Sequence, residues 1–168
     1  KIDCIERAFR MINKTGILSC AGFMLGYPGE TAVSLNKTKN ILERINPDIL
    51  AVFFFQPYPG SEVFDYLESN KMIKSRNWLY YNFNHVGNFI HDELDKEYIY
   101  GFSKFLYGYY LGSILSKKLL NPFYLIKYYN FHKRKHGRTV VFFLLRVLIK
   151  HCCFNLLFFI KNIDIYRK

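Results

Sequence analysis

Acidic residues are nearly missing from the last third of this chain. Residues 117–168 contain twelve Lys/Arg and one carboxylate, Asp164, while residues 1–116 balance twelve against twelve, so the whole formal charge of +11 belongs to the tail. That excludes a uniformly cationic surface and marks a domain-level asymmetry. Cysteine is scarce too. Cys4, Cys20, Cys152 and Cys153 make no CxxC or longer metal-ligand pattern. The adjacent Cys152–Cys153 would be a strained pair, so the four read as free thiols in a reducing cytoplasm. No secretory leader pattern opens the chain, because the first segment is an amphipathic helix with charges on both sides. An uninterrupted apolar run of the ~20 residues that a spanning helix needs is also lacking. The apolar stretch 139–160 is broken by Arg146, Lys150 and His151. Apolar residues nevertheless make up 51% of the 168, enough for a packed core in one ordinary domain. The 19% of aromatics accompanies many Lys, Asn and Ile and carries no functional weight. The chain opens at Lys1 within a helix pattern, and the expectation is that an upstream portion is missing.

What is present begins with an amphipathic helix over 3–15, with Ile5, Ala8, Phe9 and Ile12 on one face, Asp3 as cap and Gly16 as stop. Residues 17–25 form an apolar run ended by Gly26, which predicts a strand. Thr31 caps a helix to about Arg44, and Asn46-Pro47-Asp48 breaks it. Ile49–Phe55 is a second apolar strand, ended by Pro57-Tyr58-Pro59-Gly60, with Ser61 capping a helix to about Glu68. Neither strand alternates, which predicts strands covered on both faces in a parallel sheet with helical crossovers. Ligands of such folds sit beyond the carboxyl ends of the strands, where both Gly/Pro turns fall. Residues 71–94 read as an ordered loop over a core. Asp95 caps a helix to about Ser116 interrupted by glycines, and Asn121-Pro122 starts a short helix to about Phe131. A basic loop, 132–138, and a last helix from Thr139 to about Ile160 follow.

The chemically informative stretch is Gly22-Phe23-Met24-Leu25-Gly26-Tyr27-Pro28-Gly29-Glu30-Thr31. Gly26 and Gly29 let backbone approach a ligand, Pro28 stiffens the turn, and the N–H groups at the helix start suit an anionic or polar group. The plain alternative is a generic strand–turn–helix connection, since glycine motifs are often only turn chemistry. His85 and His91 are isolated histidines, which are more often surface or core residues with satisfied hydrogen bonds than ligands.

This stretch resembles the "GFxxGxPGET" motif of the radical S-adenosylmethionine superfamily, which marks the fifth barrel strand and the turn after it. Gln56-Pro57-Tyr58-Pro59-Gly60-Ser61-Glu62 resembles the family's sixth-strand end, with Ser61 in place of Thr. Lys14-Thr15-Gly16-Ile17 matches its lead-in, and Trp78 with the Asn82–His85 run resembles the segment after the barrel in cobalamin-binding-type members. The resemblance covers residues 1 to about 90. It implies an α/β fold, the last βα units of a partial parallel, TIM-like barrel over 1–70. A loop and helix over 71–118 and a basic, aromatic helical tail over 119–168 would follow. It implies a fragment of an enzyme that cleaves S-adenosylmethionine at a 4Fe–4S cluster, for radical or methyl-transfer chemistry, with cobalamin in the parent. Gly22, Met24, Gly26, Pro28 and Gly29 would surround the nucleoside, Gln56 and Pro57 would approach the adenine through backbone, and Glu30 would anchor the turn. The cluster triad CxxxCxxC is absent. Its ligands would therefore lie in a missing N-terminal part of the same polypeptide, and the chain alone would be inactive.

For the tail two readings stand. Residues 146, 150 and 155 follow one helical face, giving an amphipathic helix that either packs on the enzyme body or lies on a membrane surface. The substrate implied is a small or lipid-like molecule, and the location is cytoplasmic with peripheral membrane contact. The basic loop suits anionic lipid ahead of nucleic acid. The alternative for the whole chain is a basic membrane-surface or nucleic-acid-binding module with a vestigial barrel segment.

Overall fold

The computed structural model describes residues 2–136, with side chains to Lys133. Helix α1 (Ile2–Asn13) leads to strand β1 (Cys20–Leu25), helix α2 (Ala32–Ile45), strand β2 (Ile49–Phe54) and helix α3 (Glu62–Ser69). A 3-10 turn (Trp78–Tyr80), helix α4 (Lys96–Tyr109), a π turn (Tyr110–Leu115) and helices α5 (Ser116–Leu119) and α6 (Pro122–His136) complete it. The two strands pair directly. Ser19 O accepts from Ile49 N–H at 2.9 Å and Leu25 O from Phe55 N–H at 2.8 Å. Each pair is thirty positions apart, and that constant offset is a parallel register. The fold is α/β, two parallel strands alternating with helices and followed by a helical C-terminal region.

The described chain divides into two compact units. One comprises 20–42 and 50–106, the other 2–19, 43–49 and 107–136. In the first, Leu25, Leu35, Leu42, Leu67, Phe89, Ile99 and Leu106 are fully buried. Each contributes about 1.5–3 kcal/mol through apolar area removed from water. The loop 71–94 packs on this core. Ile73 bridges Phe89 in antiparallel fashion, and Val86 and Phe89 are buried.

Local chemistry explains the helix starts. The Thr31 hydroxyl accepts from Ser34 N–H while Ser34 Oγ accepts from Thr31 N–H, a reciprocal cap. Ser61 Oγ accepts from Phe64 N–H, Asp95 Oδ1 from Tyr98 N–H and Asn121 Oδ1 from Phe123 N–H.

Several expectations are corrected. Helix α1 begins at Ile2, so Asp3 lies in its first turn rather than capping it, and it ends at Asn13, before Gly16. Strand β1 starts at Cys20, because Thr15 Oγ1 and Asp48 Oδ2 accept the backbone N–H groups of Ile17 and Ser19 and hold this stretch in loop hydrogen bonds. Among the described residues the strands are not covered on both faces. Ala21, Leu25, Leu50 and Phe54 are buried, whereas Gly22, Met24, Ile49 and Phe53 are exposed. A continuous apolar run therefore hides a period-2 burial pattern. The helix after Asp95 passes into a π turn, where Ser116 N–H reaches Leu111 O. Helix α6 runs through Phe131 to His136, so 132–136 of the expected basic loop are helical. The expected helix 139–160 and Cys152–Cys153 lie outside the described residues. Cys4 and Cys20 are free and exposed.

In the second unit, α1 buries none of its residues. It is tied by polar contacts instead: Glu6 to Arg44 at 3.1 Å, and Asn13 Nδ2 to the carbonyls of Ile45 and Asn46 at 3.3 Å each.

Candidate functional site

In the first unit the carboxyl ends of β1 and β2 lie side by side. Beyond the Leu25–Phe55 hydrogen bond, the Tyr27 and Phe55 rings meet edge to face at 4.8 Å. The opposite edge of β2 is taken by the loop after the 3-10 turn, where Phe83 O accepts from Phe54 N–H at 2.8 Å. Successive N–H groups of a strand point to opposite edges, so β2 lies between β1 and that loop.

The turn after β1 is built for close approach. Gly26 and Gly29 have φ of 79° and 78°, a region that side chains with a Cβ enter at a cost. A Cβ on Gly26 would lie 3.3 Å from His91 Cε1. Glu30 turns back so that its carboxylate accepts the Gly26 N–H at 2.6 Å. Burial nevertheless pushes the Glu30 carboxyl above its ordinary value, with the backbone of Gly26 and Tyr27 opposing. The Gly26 N–H, like the donors of the reciprocal Thr31–Ser34 cap, is satisfied within the chain. Pro28 is half-buried and Gly29 faces open space.

At the end of β2, Pro57 is fully buried and Gln56 only 6% exposed. Gln56 Nε2 donates to Asn82 O at 2.8 Å and His85 O at 2.7 Å, which pins the loop 82–85. Its Oε1 is buried with no hydrogen-bond partner. Tyr100 supports the same loop, its hydroxyl lying 3.2 Å from His85 Nδ1 and accepting from Val86 N–H at 3.1 Å.

Gly22 and Met24 lie on the exposed face of the sheet, beside Phe53. Met24 is 60% exposed. A Cβ on Gly22 would meet only Phe53 Cε2, at an ordinary 3.7 Å. Packing within this chain does not demand glycine there, so the open space is available to a flat ring.

His91 is the residue whose position sequence reasoning left undecided. It stacks against Phe89 with ring centroids 4.1 Å apart and touches the Gly26 turn. Burial, with Lys74 and Lys96 adding repulsion, pulls the imidazole down to about 4. It is therefore neutral at pH 7. Its Nε2 is buried with no partner. Two unpartnered polar atoms, Gln56 Oε1 and His91 Nε2, thus belong to the segments around the strand ends, where buried polar groups ordinarily find partners. The arrangement holds no nucleophile–base pair, and among the described residues no three His, Cys, Asp or Glu side chains converge on a metal position.

The structure brings Gly26, Pro28, Gly29 and Glu30 together in one turn, with Gln56 and Pro57 on the adjoining strand end and Gly22 and Met24 on the open sheet face. In the other unit it assembles a cluster that sequence reasoning missed. Asp48, read only as part of a helix break, is 2% exposed and receives Lys118 Nζ at 2.6 Å and Lys127 Nζ at 2.8 Å. Ser19 adds its N–H at 2.9 Å and hydroxyl at 3.2 Å, and the Tyr110 hydroxyl donates to Asp48 O. Burial pushes the Asp48 carboxyl up, but the bonds from Lys118, Lys127 and Ser19 outweigh it and hold it below the usual carboxylate range. A lone acidic residue beside a proline break was the sole local signal.

No family model matches the chain. Over 80 residues it is 26% identical to an uncharacterized methyltransferase of Pyrococcus horikoshii. The matched stretch covers 48% of this chain and 17% of that protein. The similarity is distant and partial.

Proposed function

We propose that residues 20–60 form part of an S-adenosylmethionine site in a methyltransferase-type enzyme related to the radical S-adenosylmethionine superfamily. The observation that carries the reading is the pair of Gly/Pro turns on adjoining parallel strand ends, next to a sheet face bared by Gly22 and Met24. A parallel α/β sheet binds ligands at that edge. The methyltransferase similarity supports the same ligand. S-adenosylmethionine would supply an activated methyl or a 5′-deoxyadenosyl group. This chain's residues would bind and orient it: Gly22 by giving room, Met24 and Phe53 by apolar contact with the base, and the Gln56–Pro57 region through backbone. Glu30 holds the turn rather than the ligand.

A 4Fe–4S cluster does not fit the described residues. Cys4 and Cys20 are isolated and exposed, and no ligand set converges. No step is assigned to the cluster or to cobalamin. In this reading the cluster ligands belong to an N-terminal part of the same polypeptide, and the much greater length of the matched relative supports that. The substrate is a small or lipid-like molecule.

The test is a titration of the chain, its methionine methyls labelled with carbon-13, with S-adenosylhomocysteine. The Met24 resonance should shift saturably, with a weak dissociation constant on the order of 1 mM for a partial site. Gly22→Val should abolish the shift while the fold, followed by circular dichroism, persists. A Met24 signal that stays still, or that moves equally in Gly22→Val, refutes the reading.

A membrane-surface role is favoured by one observation. Leu120, Phe123, Leu125 and Ile126 are all exposed, next to the basic end of the chain. No helix among the described residues is long and apolar enough to cross a membrane.

A further inference from the structure

The second unit contains an open cavity of about 880 Å³, bounded by the loop leading into β1, the loop leading into β2, and helices α5 and α6. Its charged lining is Lys14, Lys118 and Lys127 against Asp48 alone, a net of +2. The donors outnumber the acceptors. Lys118 spends two of its three N–H groups, on Asp48 Oδ1 and on Asn46 O at 2.8 Å. Lys127 spends one, on Asp48 Oδ2. The Tyr124 hydroxyl, on a residue only 7% exposed, has no partner. Asp48 is already saturated, since its Oδ2 also receives both Ser19 donors. Among the described residues, three ammonium N–H groups and one phenolic O–H are thus left without an acceptor in a partly desolvated cavity. Leaving such groups unmade costs more than an average hydrogen bond returns.

We propose that this cavity binds a phosphate group. A phosphate brings up to two negative charges, matching the net +2, and acceptor oxygens for the four spare donors. The cavity is larger than a bare phosphate, and part of its wall is apolar, from Phe123, Ile126 and Phe131. These three side chains are also exposed. The phosphate is therefore that of a larger molecule with an apolar portion, either a soluble phosphomonoester or a lipid head group. This site is independent of the nucleoside site proposed above and would stand if that one failed.

The experiment uses the full chain and three proteins: wild type, Lys127→Gln and Tyr124→Phe. Inorganic phosphate and glycerol phosphate are titrated by calorimetry, and sedimentation is measured with vesicles containing phosphatidic acid or phosphatidylcholine alone. Thermal melts without ligand control for folding. Tyr124→Phe removes only an unpartnered hydroxyl, so its melt should match or exceed wild type while phosphate binding weakens about fivefold. Lys127→Gln should weaken binding about tenfold or more. Saturable binding of the soluble phosphates, lowered by both substitutions, supports a soluble ligand. Sedimentation with phosphatidic acid lowered by both, without soluble binding, supports a lipid head group. No saturable binding in either arm, or binding that neither substitution changes, overturns the proposal.

Discussion

Replacing Asp48 by alanine should be the most damaging single change in the second unit. The side chain is 2% exposed and receives hydrogen bonds from Ser19 N–H, Ser19 Oγ, Lys118 and Lys127. The two lysine side chains are themselves only 13% and 12% exposed. Alanine would leave both ammonium groups without their counter-charge and Ser19 N–H without its acceptor. Breaking a buried ion pair from one side costs about 3–5 kcal/mol. With a urea slope of about 2 kcal/mol per molar, the unfolding midpoint should fall by on the order of 2 M. The sign of the pH dependence follows from the lowered carboxyl. Stability from Asp48 is complete above its ordinary value of 3.8 and is lost as pH falls through the lower value of the folded state. Urea unfolding followed by circular dichroism at pH 7 measures the loss. The triple substitution Asp48→Leu, Lys118→Met, Lys127→Met should recover most of it, because it removes the uncompensated charges together. A loss below about 1 kcal/mol for Asp48→Ala, the range of an exposed pair, would refute the reasoning.

Two further outcomes follow from the turn after β1. Gly26→Ala places a Cβ at positive φ and 3.3 Å from His91, so the chain should lose about 1–3 kcal/mol in the same urea assay. His91, pulled down to about 4, should show no protonation between pH 7 and pH 5 by nuclear magnetic resonance. Its contribution to stability is present above the ordinary 6.5 and is lost as pH falls toward 4. A His91 titration near 6.5 would contradict its burial.

Much of the α/β order was legible in the sequence. The Gly/Pro turns, the break at Asn46–Asp48 and the caps at Thr31, Ser61, Asp95 and Asn121 depend on residues within three or four positions of one another. Burial was harder. Met24 and Phe53 are as apolar as Leu25 and Phe54, and only the pleat and the placement of neighbouring segments decide which face is covered. The face on which Gly22 and Met24 lie, expected to be covered, is left open by the described residues. Continuation of α6 through the basic run to His136 escaped notice because its charges break the apolar periodicity without breaking helix propensity.

The order of helices and strands, the stiff glycine–proline corners and the uneven charge follow from the amino-acid sequence alone, because each is set by backbone sterics or composition over short stretches. Tertiary structure decided the partners of Asp48, at 70 and 79 positions along the chain, the contact of His91 with Gly26, and the buried, unanswered Oε1 of Gln56. Those depend on chain closure over long separations, where many pairings are chemically equivalent and only collective packing selects one.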